Sequence, residues 1–535
     1  MKVLLIDPPF YRLIGFYNRY FPLGLVSVGT VLRDAGHEVA VYDADINDKP
    51  CAMDYTRLPE HYRRYLESFR DCRHPVWLEV RRTIQQFQPD AVGISIWTAY
   101  AASAFHVAAI GKAIHPACPV IVGGPHATVK AEEVLSICPH VDYVVRGEGE
   151  VTAADLMKAI AGCGWMGGSV KAEGLGDGST AFARNHRQAS PQRRCASGLD
   201  DATPMNAQLE AIDGLSFRMG GAIRHNPSRE RIRDLDELPL PDRGLLMNRD
   251  TYSSEDMGLI MTSRGCPFSC AFCVTETRQV RYRSIEHIVA EVKHVKAACG
   301  TTQFSFKDDS FTVNKKRVDE FCNALLRENL HVGWECNTRV DLVNEEMLLA
   351  MKKAGCNSIK VGIETGSETQ LERMNKRITL SQARQAAALF RKTGIHWTAY
   401  FLMGTPGEIL EDIYKTLDFM YEIRPDFASI GVYEPFPGTA MFEEGLKRGL
   451  VKPDMSLEDF FEMLPNDYYK ADARRQVDTI GQEVFERQEA EMKRRFHAYN
   501  KGVGRLLKRA KSRAGLYLAQ PGLLLADFRK YLSWT

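Results

Sequence analysis

Ser263-Arg264-Gly265-Cys266-Pro267-Phe268-Ser269-Cys270-Ala271-Phe272-Cys273 carries three cysteines in a Cys-x3-Cys-x2-Cys spacing. Three thiolates this close along a chain can wrap one face of a cubane iron–sulfur cluster, which normally takes four protein ligands. With no fourth thiolate in the run, one iron stays open to another molecule. The competing reading is a structural zinc site. Such sites usually take four protein ligands, often as two Cys-x2-Cys pairs, and no second pair follows here. Cys266, Cys270 and Cys273 are therefore the candidate ligands of a [4Fe–4S] cluster.

Around the triplet, a strand–helix rhythm runs from Leu259 to about Glu434. Apolar patterning predicts strands at 259–262, 303–306, 332–337, 358–363, 396–403 and 427–433, with a helix after each of the first five. Six strands are too few for a closed eight-stranded barrel and suit an open, partial (β/α)6 barrel. The triplet then lies on the loop after the first strand, at the end where barrels carry their chemistry. Later strands end in polar or glycine-rich runs: Lys307-Asp308-Asp309-Ser310, Gly362-Ile363-Glu364-Thr365-Gly366 and Gly404-Thr405-Pro406-Gly407-Glu408.

The first 160 residues have a different rhythm. Aliphatic strands at 2–6, 39–42, 89–95, 120–124 and 143–146 alternate with helices, as in a parallel, doubly wound sheet. Asp7, Asp43, Ser95, Gly123-Gly124 and Gly147-Glu148-Gly149-Glu150 stand at the strand ends, where such sheets bind ligands. Residues 163–208, rich in Gly, Ser, Asn and Arg, read as an insertion. A short hairpin at 215–224 and a proline-punctuated linker follow it. The expected organisation is a Rossmann-like domain at 1–160, insertion and linker at 161–245, the partial barrel at 246–445 and a helical region at 446–535.

The cysteine run closely resembles that of the radical S-adenosylmethionine enzymes. In that family the open iron chelates the amine and carboxylate of S-adenosylmethionine, and electron transfer cleaves it to a 5′-deoxyadenosyl radical. The resemblance places Phe272 near the adenine and makes Asp308 the partner of the methionine amine, with Asp309 as a helix cap. It makes Glu364 an acceptor for the ribose hydroxyls and lets the backbone at Gly404 approach the adenine edge. The N-terminal runs Asp7-Pro8-Pro9, Ser95-Ile96-Trp97, Gly123-Gly124-Pro125-His126 and Gly147-Glu148-Gly149-Glu150 resemble the cobalamin-dependent members of that family. Ser95, Gly123 and Gly124 would admit cobalamin, and Trp97 would shield the lower corrin face or serve as a core or rim aromatic. The cobalt-ligating His expected after strand one is replaced by Pro9, and His126 is not taken as its substitute.

The resemblance implies a class B-type methyltransferase. It would move a methyl group from methylcobalamin to an unactivated carbon of a small-molecule substrate, with electrons from an external flavodoxin- or ferredoxin-type donor. Tyr433 and Glu434, at the end of strand six, are candidates to line the substrate pocket. Oxidative cyclisation, as in the anaerobic tetrapyrrole cyclases, is the alternative with the same cofactors. A non-catalytic cobalamin sensor or carrier is the alternative from outside enzymology. A methylthiotransferase normally brings a second cysteine triplet, whereas Cys51, Cys72, Cys118 and Cys138 are spread apart.

Composition sets the outer bounds. A chain of 535 residues with net charge +1 has length for several cores and no global charge that calls for nucleic acid. Thirteen scattered cysteines fit a reducing cytoplasm, and no apolar stretch approaches the roughly 20 residues of a membrane span. Residues 493–513 hold nine Lys or Arg and no acid, and an apolar stretch follows to 525. That segment is either a peripheral membrane contact or a helical cap on the barrel with solvated basic faces.

Overall fold

Aliphatic runs that stop at Asp, Ser or Gly build the first sheet. The computed structural model describes residues 1–16, 20–46, 58–162, 204–274, 277–472, 477–502, 504–505 and 517. In it, β1 (Lys2–Asp7), β2 (Glu38–Asp43), β3 (Ala91–Ser95), β4 (Val120–Gly123) and β5 (Tyr143–Val145) pair in parallel. Then β6 (Leu215–Met219) and β7 (Ala222–His225) add antiparallel strands, giving the order β2-β1-β3-β4-β5-β6-β7. The hairpin expected in a linker thus extends the N-terminal sheet, because Leu215 and Phe217 are buried with the sheet's core. The 163–203 part of the insertion lies outside the described residues.

Helices cover both faces of this sheet. Leu23–Asp34 and Gly149–Gly162 bury Val26, Leu32, Leu156 and Met157 on one side. Pro75–Phe87 and Ala101–Ile114 bury Trp77, Val80, Phe105 and Val107 on the other. With both faces filled, only the strand ends remain open to a ligand.

The second sheet is the partial barrel. Its strands are β8 (Leu259–Ile260), β11 (Gln303–Phe306), β12 (Gly333–Thr338), β13 (Cys356–Glu364), β14 (His396–Met403) and β15 (Phe427–Val432). All are parallel and adjacent in chain order. A separate ribbon, β9 (Ser263–Arg264) with β10 (Arg281–Tyr282), closes the base of the cysteine loop. Behind β11, Phe306, Phe311, Phe321 and Trp334 form an aromatic cluster with ring centroids 5.1 to 5.6 Å apart. Truncating one such ring costs about 3–5 kcal/mol, so this cluster fixes the turn that carries Asp308 and Asp309.

The C-terminal region divides its packing. Phe460 and Phe461 pack against Phe105 and Phe69 of the N-terminal domain, edge-on and tilted, at 5.4 and 5.3 Å. The helix Gln482–Asn500 packs on the barrel instead: Phe496 meets Phe401 at 5.4 Å, and the Tyr499 hydroxyl donates to the Pro425 carbonyl at 2.6 Å. Within it Lys493 pairs with Glu489, and Arg494 and Arg495 pair with Glu491. Most of the basic stretch beyond it lies outside the described residues. No helix among the described residues is long and apolar enough to cross a membrane.

Candidate active site

The carboxyl ends of the two sheets border one cavity of about 880 Å³. This is at the upper end of the usual range for small-molecule sites. Ser95, Trp97, Gly123 and Gly124 line it from the first sheet; Ser263, Arg264, Gly265, Lys307 and Asp309 line it from the barrel. Trp97 is 50% exposed, so it stands on the rim and not in the core. Gly124 has φ +108°, and a Cβ there would sit 2.9 Å from the Ile96 carbonyl oxygen. Only glycine suits both constraints. By contrast, a Cβ at Gly123 would make ordinary contacts.

On the N-terminal side of the cavity the described lining holds no histidine. His126 is buried, with Nδ1 3.1 Å from the Thr98 hydroxyl, and burial pushes its pKa down to about 3. It faces Glu133, Phe460 and Tyr469, away from the cavity. The acid that ends β1 is Asp7, which lines the cavity. Burial, and then the nearby Asp43 and Asp45, push its carboxyl well above the usual range. Asp43 accepts the Tyr252 hydroxyl, and Asp45 accepts the amides of Phe10 and Arg12 at 2.6 and 2.9 Å.

The cysteine loop is held from several sides. The Cys266 amide donates to Thr277 (3.0 Å), Ala271 to Met374 (2.8 Å) and Met441 to Ala271 (2.8 Å). Asn375 Nδ2 reaches the Ser269 carbonyl at 2.7 Å. Gly265, at φ +98°, lies too close to Gln279 and Thr277 for any side chain. Cys266 and Cys270 are half-buried and Cys273 is exposed, all as free thiols. Burial first, then Asp309, Cys273 and Cys270, raise the Cys266 thiol, so the three sulfurs share one electrostatic neighbourhood. No described group of His, Cys, Asp or Glu is gathered tightly enough for a single metal ion.

Arg339 backs the loop. Its guanidinium lies 3.7 Å over the Phe268 ring and 3.9 Å from Cys270 Sγ, and it is held by Asp341 at 3.0 and 3.1 Å. A buried cation beside a cluster thiolate offsets charge there. Sequence reasoning missed this residue. The available signal was an Arg at the end of the third barrel strand.

Asp308 and Asp309 stand differently from what the resemblance implied. Asp308 is 1% exposed, and its carboxylate accepts the Thr262 amide (2.6 Å), the Thr262 hydroxyl and the Ser263 hydroxyl (2.6 Å). Its oxygens are engaged in fixing the root of the cysteine loop. Asp309 lines the cavity beside Cys266, and Asn314, not Asp309, caps the following helix. Two acids in tandem on an extended segment point opposite ways, and burial decides which one is the tether.

Glu364 has φ +67°, which is rare outside glycine, at a bulge in β13. Lys376 Nζ is 2.5 Å from its carboxylate and 5.8 Å from the centre of the Phe272 ring. The structure therefore joins two residues nominated separately, with Lys376 as an unforeseen bridge. Gly404, at φ +82°, donates its amide to the buried Glu408, so that turn is closed by its own acid.

Tyr433 and Glu434 do not line the cavity. Tyr433 packs among Met374, Met441 and Phe272, which makes it part of the floor under the loop. Glu434 turns toward the C-terminal region, where burial pushes its carboxyl up to about 7 and Lys470 and Lys493 pull it back. The pocket-lining expectation for these two residues is not met by this cavity, because the strand end faces the floor under the loop and the C-terminal region instead.

A clamp ties the two domains across the cavity. Glu148 accepts from Arg281 at 2.8 and 2.9 Å and from Arg264 at 3.0 Å, and Glu150 pairs with Arg264 at 2.5 Å. Burial opposes ionisation of Glu148, yet Arg281 and Arg264 hold its carboxyl at about 2. Arg264 stands two residues before Cys266, so the first domain grips the loop of the second.

Comparisons with known proteins agree with this layout. Residues 260–420 match the model of the radical SAM superfamily, and residues 13–157 match that of the B12 binding domain. The chain is 30% identical over 460 residues to an uncharacterized methyltransferase, PH0819, of Pyrococcus horikoshii, covering 84% of each protein. It is 28% identical to the anaerobic magnesium-protoporphyrin IX monomethyl ester cyclase of Rubrivivax gelatinosus, over 68% of this chain and 60% of that one. In fold it resembles the radical S-adenosylmethionine methyltransferase TsrM of Kitasatospora setae. That match has TM-score 0.60 and 17% identity, over 85% of this chain and 77% of that one. The chain belongs to the cobalamin-dependent radical S-adenosylmethionine enzymes, whose cofactors are a [4Fe–4S] cluster, S-adenosylmethionine and cobalamin.

Proposed function

We propose that the chain methylates an unactivated carbon of a small molecule. One observation carries this reading: a single cavity is lined both by Ser95, Trp97, Gly123 and Gly124 and by the root of the cysteine loop. When bound there, the cluster with S-adenosylmethionine supplies hydrogen abstraction, and cobalamin supplies the methyl group. Cys266, Cys270 and Cys273 hold the cluster, and Asp308 fixes their loop through Thr262 and Ser263. Asp309, Glu364 with Lys376, and Phe272 surround the S-adenosylmethionine side, Asp309 offering the carboxylate for its amine. Gly124 would let the backbone come close to the corrin, and Trp97 on the rim would cover it. Enclosure between two domains would exclude water and bring the methyl donor and the acceptor carbon together. An external flavodoxin- or ferredoxin-type protein supplies the electrons.

The similarity to methyltransferases of comparable length supports methyl transfer over cyclisation. The test is an anaerobic reaction of the reconstituted enzyme with methyl-labelled S-adenosylmethionine and extracts of the source organism. Label in a carbon-methylated product bears the reading out. Cleavage of S-adenosylmethionine with a dehydrogenated, unlabelled product points to the cyclase reading instead.

A further inference from the structure

The inside of the partial barrel is neither filled nor apolar. In closed barrels, bulky aliphatic side chains usually pack the interior in layers. Here the floor is a side-chain amide pair, Gln303 with Asn357, at 2.8 and 3.3 Å. Above it Glu335 accepts from Ser305 at 2.8 Å and from Lys360 at 2.5 Å. Tyr400, in the middle of β14, is 41% exposed, so this lumen is open space. At the top Lys307 meets the face of Tyr20 at 3.9 Å, and both residues line the cavity between the domains. Tyr20 comes from the N-terminal domain and is 43% exposed although protein surrounds it.

The charges here do not balance. Two lysines, Lys307 and Lys360, face one carboxylate, Glu335, and Glu335 is already paired to Lys360. Lys307 forms no ion pair among the described residues. The field is strong enough to read on its neighbours. Burial alone would raise the Tyr20 phenol, yet Lys360 and Lys307 bring it below its ordinary value. Against burial, Lys360 and then Lys307 hold the Glu335 carboxyl at about 2. An ammonium left without a counter-charge in an enclosed polar space is a site for an anion.

We propose that the lumen takes an oxyanion of the substrate, a carboxylate or a phosphate, held by Lys307 and Lys360 beneath Tyr20. The substrate's anchored end would lie in the barrel and its reacting carbon would rise toward the cavity where the two domains meet. The assignment of this anion to the substrate rests on the methyltransferase reading, while the anion site itself does not. It makes Lys307 and Lys360 specificity residues, distinct from the loop that holds the cluster.

The test is titration of the full-length, reconstituted protein with inorganic phosphate and, separately, acetate, followed by calorimetry. Saturable binding of at least one is expected. Lys307→Gln should weaken it at least tenfold, and Tyr20→Phe should weaken it less. Unchanged cobalamin and iron content shows that both variants fold. Cys266→Ala should bind the anion as wild type does, even with its cluster and all S-adenosylmethionine cleavage lost. Binding unaffected by Lys307→Gln, or no saturable binding of either anion, overturns the proposal. So does one-for-one displacement of phosphate by S-adenosylmethionine, since the oxyanion would then be the cofactor's own carboxylate.

Discussion

The two parallel sheets present their carboxyl ends to one space, but they do so with opposite chemistry. The N-terminal edge is small and aromatic, with Gly123, Gly124 and Trp97 and with Asp7 raised toward its neutral form. The barrel mouth is charged, with Asp309, Lys307 and the Glu364–Lys376 pair. The doubly wound sheet has helices on both faces and offers only its edge, where Glu148 and Glu150 are neutralised by barrel arginines and the rest is a broad platform suited to a flat macrocycle. The barrel also offers its inner face, and it can therefore sort polar groups in depth.

The contrast predicts that each half fails without the other. The largest effect should come from Cys266→Ala. Iron should fall from about 4 per chain to near zero, with loss of reductive S-adenosylmethionine cleavage by more than ~1,000-fold. Cobalamin binding should stay as it was, and a joint loss of both would break the comparison. Gly124→Val is the mirror experiment. Its Cβ would meet the Ile96 carbonyl oxygen at 2.9 Å in a left-handed backbone, so cobalamin should bind at least roughly tenfold more weakly while iron content holds.

Glu148→Gln acts between the halves. It removes the charge that Arg264 and Arg281 share, at a cost of roughly 2–3 kcal/mol, and should depress methyl transfer more than S-adenosylmethionine cleavage. Because the folded carboxyl sits at about 2, below its unfolded value, this contribution is complete above about pH 4.5. It is lost as the pH falls toward 2, and the variant should show a flatter acid-unfolding curve over that window. Asp45→Asn should have the smallest effect on methyl transfer, and its effect on stability should be of opposite sign. Burial and Asp43 raise the folded carboxyl to about 7, so the folded state holds its proton longer than the unfolded chain. Wild-type stability therefore drops as pH rises from about 4 through 7. Both amides that Asp45 accepts go to one oxygen, which Asn retains. The variant should thus melt higher than wild type at pH 8 and equally at pH 4.

Much of this layout can be read from the chain because both sheets are built of buried aliphatic strands ended by polar turns. Where a strand end faces the cavity, as at Ser95, Gly123 and Gly124, position in the pattern locates the residue. The errors arise where position does not determine direction. Asp308 and Asp309 are adjacent, and only the hydroxyls of Thr262 and Ser263 select the inward one. Tyr433 and Glu434 sit at a proper strand end, but segments distant in sequence cover them. Lys376, Arg339 and the Glu148 clamp act through partners far along the chain, which periodicity does not reveal. Likewise the hairpin at 215–225 joins the first sheet across an insertion that separates it from its partner strand.

Electron paramagnetic resonance of the protein loaded with cob(II)alamin and the cluster tests the shared cavity most directly. One cobalamin per chain is expected, with no nitrogen splitting from a histidine below the cobalt and with faster cobalt relaxation when the cluster is reduced. A nitrogen-split signal, or cobalt relaxation indifferent to the cluster's oxidation state, would contradict it.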